Sequence, residues 1–165
     1  MSQQSPNRIL NALPQNIFAA VERNLKQVDL RFRDVLAESV QPVDRVYFPT
    51  AGVVSLVVEM KVGDMIETAM VGRDGVANAT AALDGKVSLH KAIVQVAGQA
   101  SAIAPDSLRS LTDEFPPFRS ILIRHESLYP DTPRAGCACP SATVGGLQRE
   151  PYCRSAHVSM AVATT

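Results

Sequence analysis

The sequence has no tryptophan, and its three cysteines, Cys137, Cys139 and Cys153, all fall in the final stretch of its 165 residues. Everything up to Glu126 therefore holds no disulfide and no thiolate site for zinc or an iron–sulfur cluster. Net charge is missing too. Sixteen Lys and Arg balance sixteen Asp and Glu, which removes the global attraction to polyanions on which non-specific nucleic-acid binding rests. A stand-alone DNA binder is not expected. Long apolar runs are also absent: the best, such as Gly52 to Val58, is far shorter than the roughly 20 residues of a membrane-crossing helix. The opening Met1-Ser2-Gln3-Gln4-Ser5-Pro6-Asn7 shows neither a basic segment followed by an apolar stretch nor a lipidation pattern. These features lead us to expect a cytoplasmic protein without membrane contact.

Catalytic patterns are scarce as well. Asp44, Glu59, Asp64, Glu67, Asp74 and Asp84 are scattered along strand-like and turn-like segments, where carboxylates are ordinarily solvated. No Gly-x-Ser-x-Gly, His-Glu-x-x-His or phosphate-loop pattern occurs. His90 and His125 are too few and too far apart in sequence for the clustered His and Glu ligands of a cupin-type metal barrel. We expect no enzyme.

What the chain does contain is alternation. Two short helical segments open it, Asn7 to Leu13 and Gln15 to Leu25, with Ile17, Phe18, Val21 and Leu25 on one face and Pro14 between. From Lys26 the period changes to two, with Val28, Leu30 and Phe32 alternating with Gln27, Asp29 and Arg31. Val46 to Phe48, Gly52 to Met60, Met65 to Val71, Ser88 to Val96 and Ala100 to Ala104 also read as strands. Lys61 to Asp64, Gly72 to Gly75 and Asp84-Gly85 read as turns, and the Ala-rich Val76 to Leu83 fits either structure. Pro105-Asp106-Ser107 starts a helix, Pro116-Pro117 breaks it, and Phe118 to Glu126 starts another. Closely spaced strands with helices at the ends predict a mostly β, antiparallel roll, barrel or sandwich.

The order of these signals resembles the sensor half of Crp/Fnr-type bacterial transcription regulators, a cyclic-nucleotide-binding-like β-roll. The resemblance spans about 7–126 and rests on Asn7-Arg8-Ile9-Leu10-Asn11-Ala12-Leu13-Pro14, the run Val46-Tyr47-Phe48-Pro49-Thr50-Ala51-Gly52-Val53-Val54-Ser55, Val71-Gly72-Arg73-Asp74-Gly75, and His90 to Val96. The Tyr-Phe-Pro-Thr-x-Gly-Val-Val-Ser stretch is the most specific of these. The resemblance implies a jelly roll with short N-terminal helices and a C-terminal helix that is cut short here. It implies a regulatory sensor that works as a homodimer or in mixed dimers with full-length regulators, with DNA bound by a separate helix-turn-helix half. It also implies a ligand cassette running from Gly75 to Ala92, with the six positions Gly75, Val76, Ala77, His90, Lys91 and Ala92 as candidate ligand contacts.

In that family a Gly-Glu pair and an Arg followed by Ser/Thr-Ala hold a cyclic nucleotide. The guanidinium pairs with the phosphate and the carboxylate accepts from the ribose hydroxyl. Here the pair reads Gly75-Val76 and the second motif reads His90-Lys91-Ala92. Both discriminating side chains are replaced, so consensus binding of a cyclic nucleotide is not expected and any effector is unidentified. Val71, Val76, Ala77, Ala79, Ala82, Leu83 and Ala92 would form the pocket walls, or plain core. Relatives that sense oxygen use several Cys, or haem held by an axial His or Cys. The body has no Cys, and His90 and His125 read as structural, so no cofactor is expected.

After Glu126 the pattern changes. Residues 127–165 show no sustained periodicity, and Tyr129-Pro130-Asp131-Thr132-Pro133 cannot continue a helix. We read 127–165 as an irregular tail. Its alternative reading is a zinc-binding or small-molecule module on Cys137, Cys139, Cys153 and His157, four ligands suited to a closed tetrahedral site but with a Cys-x-Cys pair tighter than usual. The codons suggest a different origin. Met160-Ala161 requires ATG followed by GCN, so the frame one base later contains TGG, and His157 to Thr165 there admits Thr-Cys-Arg-Trp-Leu-Leu-Pro-Arg, similar to the segment before the DNA-binding half in this branch of regulators. We therefore expect a frameshifted remnant. The gene checks it: the bases after the Glu126 codon should encode, in that frame, a helical segment containing Trp, and a stop or a helix-breaking reading overturns the idea.

Overall fold

The computed structural model describes residues 5–59, 65–84, 87–88 and 90–126. The expected turns at Lys61 to Asp64 and Gly85, the tail 127–165 and its Cys/His ligand set lie outside the described residues.

The chain begins its fold at a single buried amide. Asn7, 0% exposed, caps helix α1 (Arg8–Asn11): its Oδ1 accepts from the N–H groups of Ile9 and Leu10 at 3.1 and 3.2 Å, satisfying donors that a helix start leaves open. Its Nδ2 donates to the carbonyls of Pro49 and Gly75, both at 2.9 Å. Helix α2 (Gln15–Glu22) follows Pro14 and buries Ile17 and Val21, with Phe18 and Leu25 partly covered against the same core.

Among the described residues seven antiparallel strands follow: β1 (Lys26–Leu30), β2 (Val35–Ala37), β3 (Gln41–Pro42), β4 (Val46–Glu59), β5 (Met65–Val71), β6 (Val87–Ser88) and β7 (Lys91–Ile103). Helix α3 (Ala79–Asp84) lies between β5 and β6, and α4 (Pro105–Glu114) and α5 (Pro116–Glu126) close the described chain. The main sheet runs β1-β7-β4-β5, with β2 also paired to β7, while β3 and β6 form a small second sheet. This is the antiparallel roll that the alternation predicts. Among the described residues no helix is long and apolar enough to cross a membrane.

Several boundaries differ from the sequence expectation. Val46 to Phe48 and Gly52 to Glu59 form one strand, as do Lys91 to Val96 and Ala100 to Ile103; Met60, expected to end the first of these, lies outside the described residues. The glycines that look like breaks are crossing points. Gly52 has φ +83°, and a Cβ on Gly98 would lie 2.3 Å from the Ala51 carbonyl oxygen. The strands bulge there and approach too closely for any side chain. Strand β1 stops at Leu30. Phe32, 58% exposed, sits instead on a turn, with the Arg33 guanidinium 5.2 Å from its ring centroid and Arg33 itself at φ 70°. Strands β2 and β3 are too short to show periodicity. Pro116 and Pro117 open α5 rather than preceding it, because the first turn of a helix needs no N–H from them.

The interior has two parts. One joins the helices to the ends of the long strands through Leu10, Val21, Phe48, Ile103, Leu108, Phe118 and Leu122. The other fills the roll with Leu30, Val54, Leu56, Val71, Ala77, Ala92, Val94 and Ala100. Asn7 bridges the helical part to the roll. Asn7→Ala is expected to lower unfolding free energy by about 3 to 5 kcal/mol, the sum of a lost cap and two buried carbonyls left without donors, measured by urea denaturation. Asn7→Asp keeps the cap acceptor but turns an anionic oxygen on those carbonyls, and should be no better.

Candidate functional site

The segment from Val71 to Ala92 is positioned by backbone bonds more than by side chains. A turn joins Gly72 to Gly75, whose N–H donates to the Gly72 carbonyl at 3.0 Å. Two residues on, Ala77 exchanges a pair of bonds with Tyr47: the Ala77 N–H donates to the Tyr47 carbonyl at 2.8 Å and the Tyr47 N–H to the Ala77 carbonyl at 3.1 Å. Burial holds the Tyr47 phenol above its ordinary pKa, against the pull of the Arg45 charge, so no anion develops beside the strap. Asn78 adopts φ 70°, a conformation Asn tolerates, and its amide donates to the Arg45 carbonyl at 3.2 Å. Helix α3 starts immediately after. From α4, the Arg109 Nη2 donates to the Ala82 carbonyl at 2.9 Å.

All the expected wall residues are buried, but they do not form one wall. Val76, Ala79, Ala82 and Leu83 belong to the helical core. Val71, Ala77 and Ala92 belong to the roll interior. The strap to Tyr47 divides them, since it draws Ala77 into the roll while its neighbours pack toward the helices.

The six cassette positions separate in the same way. Gly75, Val76, Ala77, His90 and Ala92 are buried, with Val76 at 1% and His90 at 8% exposure. Ser88 shapes the bend before His90: its hydroxyl donates to the His90 carbonyl at 2.7 Å and accepts from the His90 N–H at 3.3 Å. Ala92 and Val94 alternate into the roll, so Lys91 projects from the opposite face of β7. There its Nζ lies 3.1 Å from Glu38 Oε2. Of the six candidate positions, Lys91 is thus the one whose charge is paired on the outer face of the strand. Ser88 and Lys91 also spell Ser-x-x-Lys, a nucleophile pattern that the sequence reading missed. Here the hydroxyl is engaged with the His90 backbone and the amine with Glu38, so the two do not form a nucleophile and its base.

Two contributors carry no sequence signal. Glu38 is paired with Lys91 only because β2 lies against β7. Val40 stands at φ 59° and is 71% exposed, with its N–H donating to the Ser88 carbonyl at 2.6 Å. A β-branched residue is poorly suited to that region. Among the described residues no three His, Cys, Asp or Glu side chains converge on a metal-sized site.

No protein-family model and no curated protein sequence matches the chain. Solved structures do. The N-terminal domain of a transcriptional regulator from Streptomyces coelicolor A3(2) is similar at 20% identity and TM-score 0.58, over 76% of this chain and 89% of that one. The sensor domain of the transcriptional regulator DNR from Pseudomonas aeruginosa is similar at 15% identity and TM-score 0.58, over 73% and 81%. This is the cyclic-nucleotide-binding-like fold. The catabolite activator protein of Thermus thermophilus shares it at 14% identity and TM-score 0.62, over 75% of this chain, which spans 57% of that protein's length.

The strain at Val40 gives a direct check on the loop that carries Glu38. Val40→Gly is expected to raise stability by about 1 kcal/mol, because the unfavourable left-handed conformation costs roughly 1 to 2 kcal/mol and the added chain entropy offsets only part of that gain. Thermal unfolding would measure it, and a fall in midpoint would contradict the assignment.

Proposed function

We propose that residues 7–126 are the regulatory sensor domain of a Crp/Fnr-type transcription regulator whose cassette is filled by its own side chains and does not take a cyclic nucleotide by the consensus mode. One observation carries this reading: Val76 and His90, the residues that the resemblance aligns with the consensus carboxylate and guanidinium, are 1% and 8% exposed. The fold supports the sensor role, and the likeness to regulator sensor domains supports the setting.

The chemistry argues against the consensus ligand. A cyclic phosphate gains most from a bidentate guanidinium, and the ribose hydroxyl from a carboxylate acceptor. Each such charge-assisted bond contributes about 1.5 to 3 kcal/mol, so losing both weakens binding by about two to four orders of magnitude. Lys91 does not restore the charge, because it faces away and is paired with Glu38.

In the proposed role the domain regulates without catalysing and leaves DNA contact to another domain. It acts as a homodimer or in mixed dimers with full-length regulators, in the cytoplasm. Its output is a two-state change in the helices that follow the roll, biased by whatever stabilises one arrangement of the cassette.

Titration of the full chain with cAMP and cGMP by calorimetry tests the cassette. No saturable heat is expected at micromolar nucleotide. Binding with a Kd of micromolar or below would overturn the claim that Val76 and His90 disable the site.

A further inference from the structure

Helix α5 is anchored in two places of different character. Its first two turns are held by Phe118 and Leu122, both fully buried in the helical core. One helical turn beyond Ile121, and on the same face, stands His125. Its ring lies in the space that a side chain on residue 75 would need: a Cβ on Gly75 would stand 3.1 Å from His125 Nε2, 3.2 Å from His125 Cε1 and 2.7 Å from Val71 Cγ1. The ring also hydrogen-bonds to the Asp74 backbone. The last turn of α5 thus rests on the Gly72–Gly75 turn through an imidazole, while its neighbours Ile123 and Arg124 are exposed.

The turn beneath His125 is the fixed partner. The Asn7 amide holds the Gly75 carbonyl at 2.9 Å and the Pro49 carbonyl at 2.9 Å, and the Arg8 N–H donates to the Arg73 carbonyl at 2.7 Å. If the contact opens, the helix end moves and the turn does not.

We propose that His125 is a proton-operated latch, a second input to this domain in which the neutral imidazole holds the end of α5 on the Gly72–Gly75 turn and protonation releases it. This does not depend on what the cassette binds. Burial disfavours the charged ring, and the Asp74 carboxylate and the bond to its backbone favour it; burial is the larger effect and lowers the pKa below the ordinary 6.5. The other charged residues next to the contact in these elements are Arg73 on the turn, Arg8 on α1 and Arg124 on α5. The sign follows. With its native pKa depressed, the contact is fully stable above about pH 6.5 and loses stability as pH falls from there through the lower native value.

The test uses the full chain and follows the imidazole resonances of its three histidines together with native-state amide exchange, corrected for the intrinsic pH dependence of exchange. His125, assigned by the His125→Gln variant, is expected to titrate below 6.5. Exchange in the last turn of α5 should rise on acidification by about tenfold for each unit of pKa depression, while the amides of β7 keep their protection. His125→Gln, which retains a donor but does not titrate, should lose that acid response. Asp74→Asn should move the midpoint still lower, and serves alone if His125→Gln does not fold. A midpoint at or above 6.5, an unchanged acid response in His125→Gln, or an Asp74→Asn midpoint that does not fall would each overturn the latch.

Discussion

The buried side-chain amide of Asn7 is the constraint on which the arrangement of the other parts depends. An amide offers two acceptor directions and two donors, and here all four bonds go to backbone: two N–H groups of α1, the carbonyl of Pro49 on β4, and the carbonyl of Gly75 at the cassette turn. No other residue type of that size supplies both halves. A carboxylate lacks the donors, a hydroxyl has one, and an alkyl group has none. The helix start, a bend in the longest strand and the turn before α3 are therefore fixed relative to one another by one side chain whose alternatives all leave buried polar groups unsatisfied.

The second constraint is the crossing of β4 and β7. Both are long and strongly apolar, and a pair of this length must twist and bend to close a roll. The bend is concentrated at Gly52 and Gly98, where two backbones approach more closely than any Cβ permits. The strands bulge there, and on either side of the bend Val46 and Phe48 serve the helical core while Val54 and Leu56 serve the roll. One strand thereby contributes to both interiors, and the cassette, strapped to β4 at Tyr47, lies where they meet.

How much of this was legible in the sequence follows from whether the determining contacts are local. Segments such as Met65 to Val71 and the helix after Pro105 declare themselves because strand-forming composition between turns and a proline at the first helical position are local properties. Gly52 and Gly98 stand where the sequence reading starts one strand and leaves a gap between two others, and only the approach of a distant strand makes each a crossing point within a continuous strand. Strands β2 and β3 owe their existence to β7 and β6 rather than to their own residues. The site divides in the same way. The identities of Val76 and His90 in the segment that the resemblance singles out can be read directly from the sequence, whereas the outward direction of Lys91, its pairing with Glu38 and the contact of His125 with Gly75 depend on which elements the fold brings alongside.

On the proposed reading, the shape of the cassette and its ligand chemistry have separate physical origins. The shape comes from main-chain bonds between Tyr47 and Ala77, from Asn78 on Arg45 and from Arg109 on Ala82, together with small apolar residues that let α3 pack closely. None of these needs a ligand-binding charge. A carboxylate at position 76 would stand among buried apolar groups and cost several kcal/mol unless a ligand or a cation satisfied it. Val76 instead gains about 1.5 kcal/mol or more from burial. On the proposed reading, the exchange of Glu for Val gives up affinity that exists only in the presence of ligand and gains stability that is always present. A domain so altered keeps its fold without its nucleotide, and any regulation it performs must enter through contacts the cassette charge does not control.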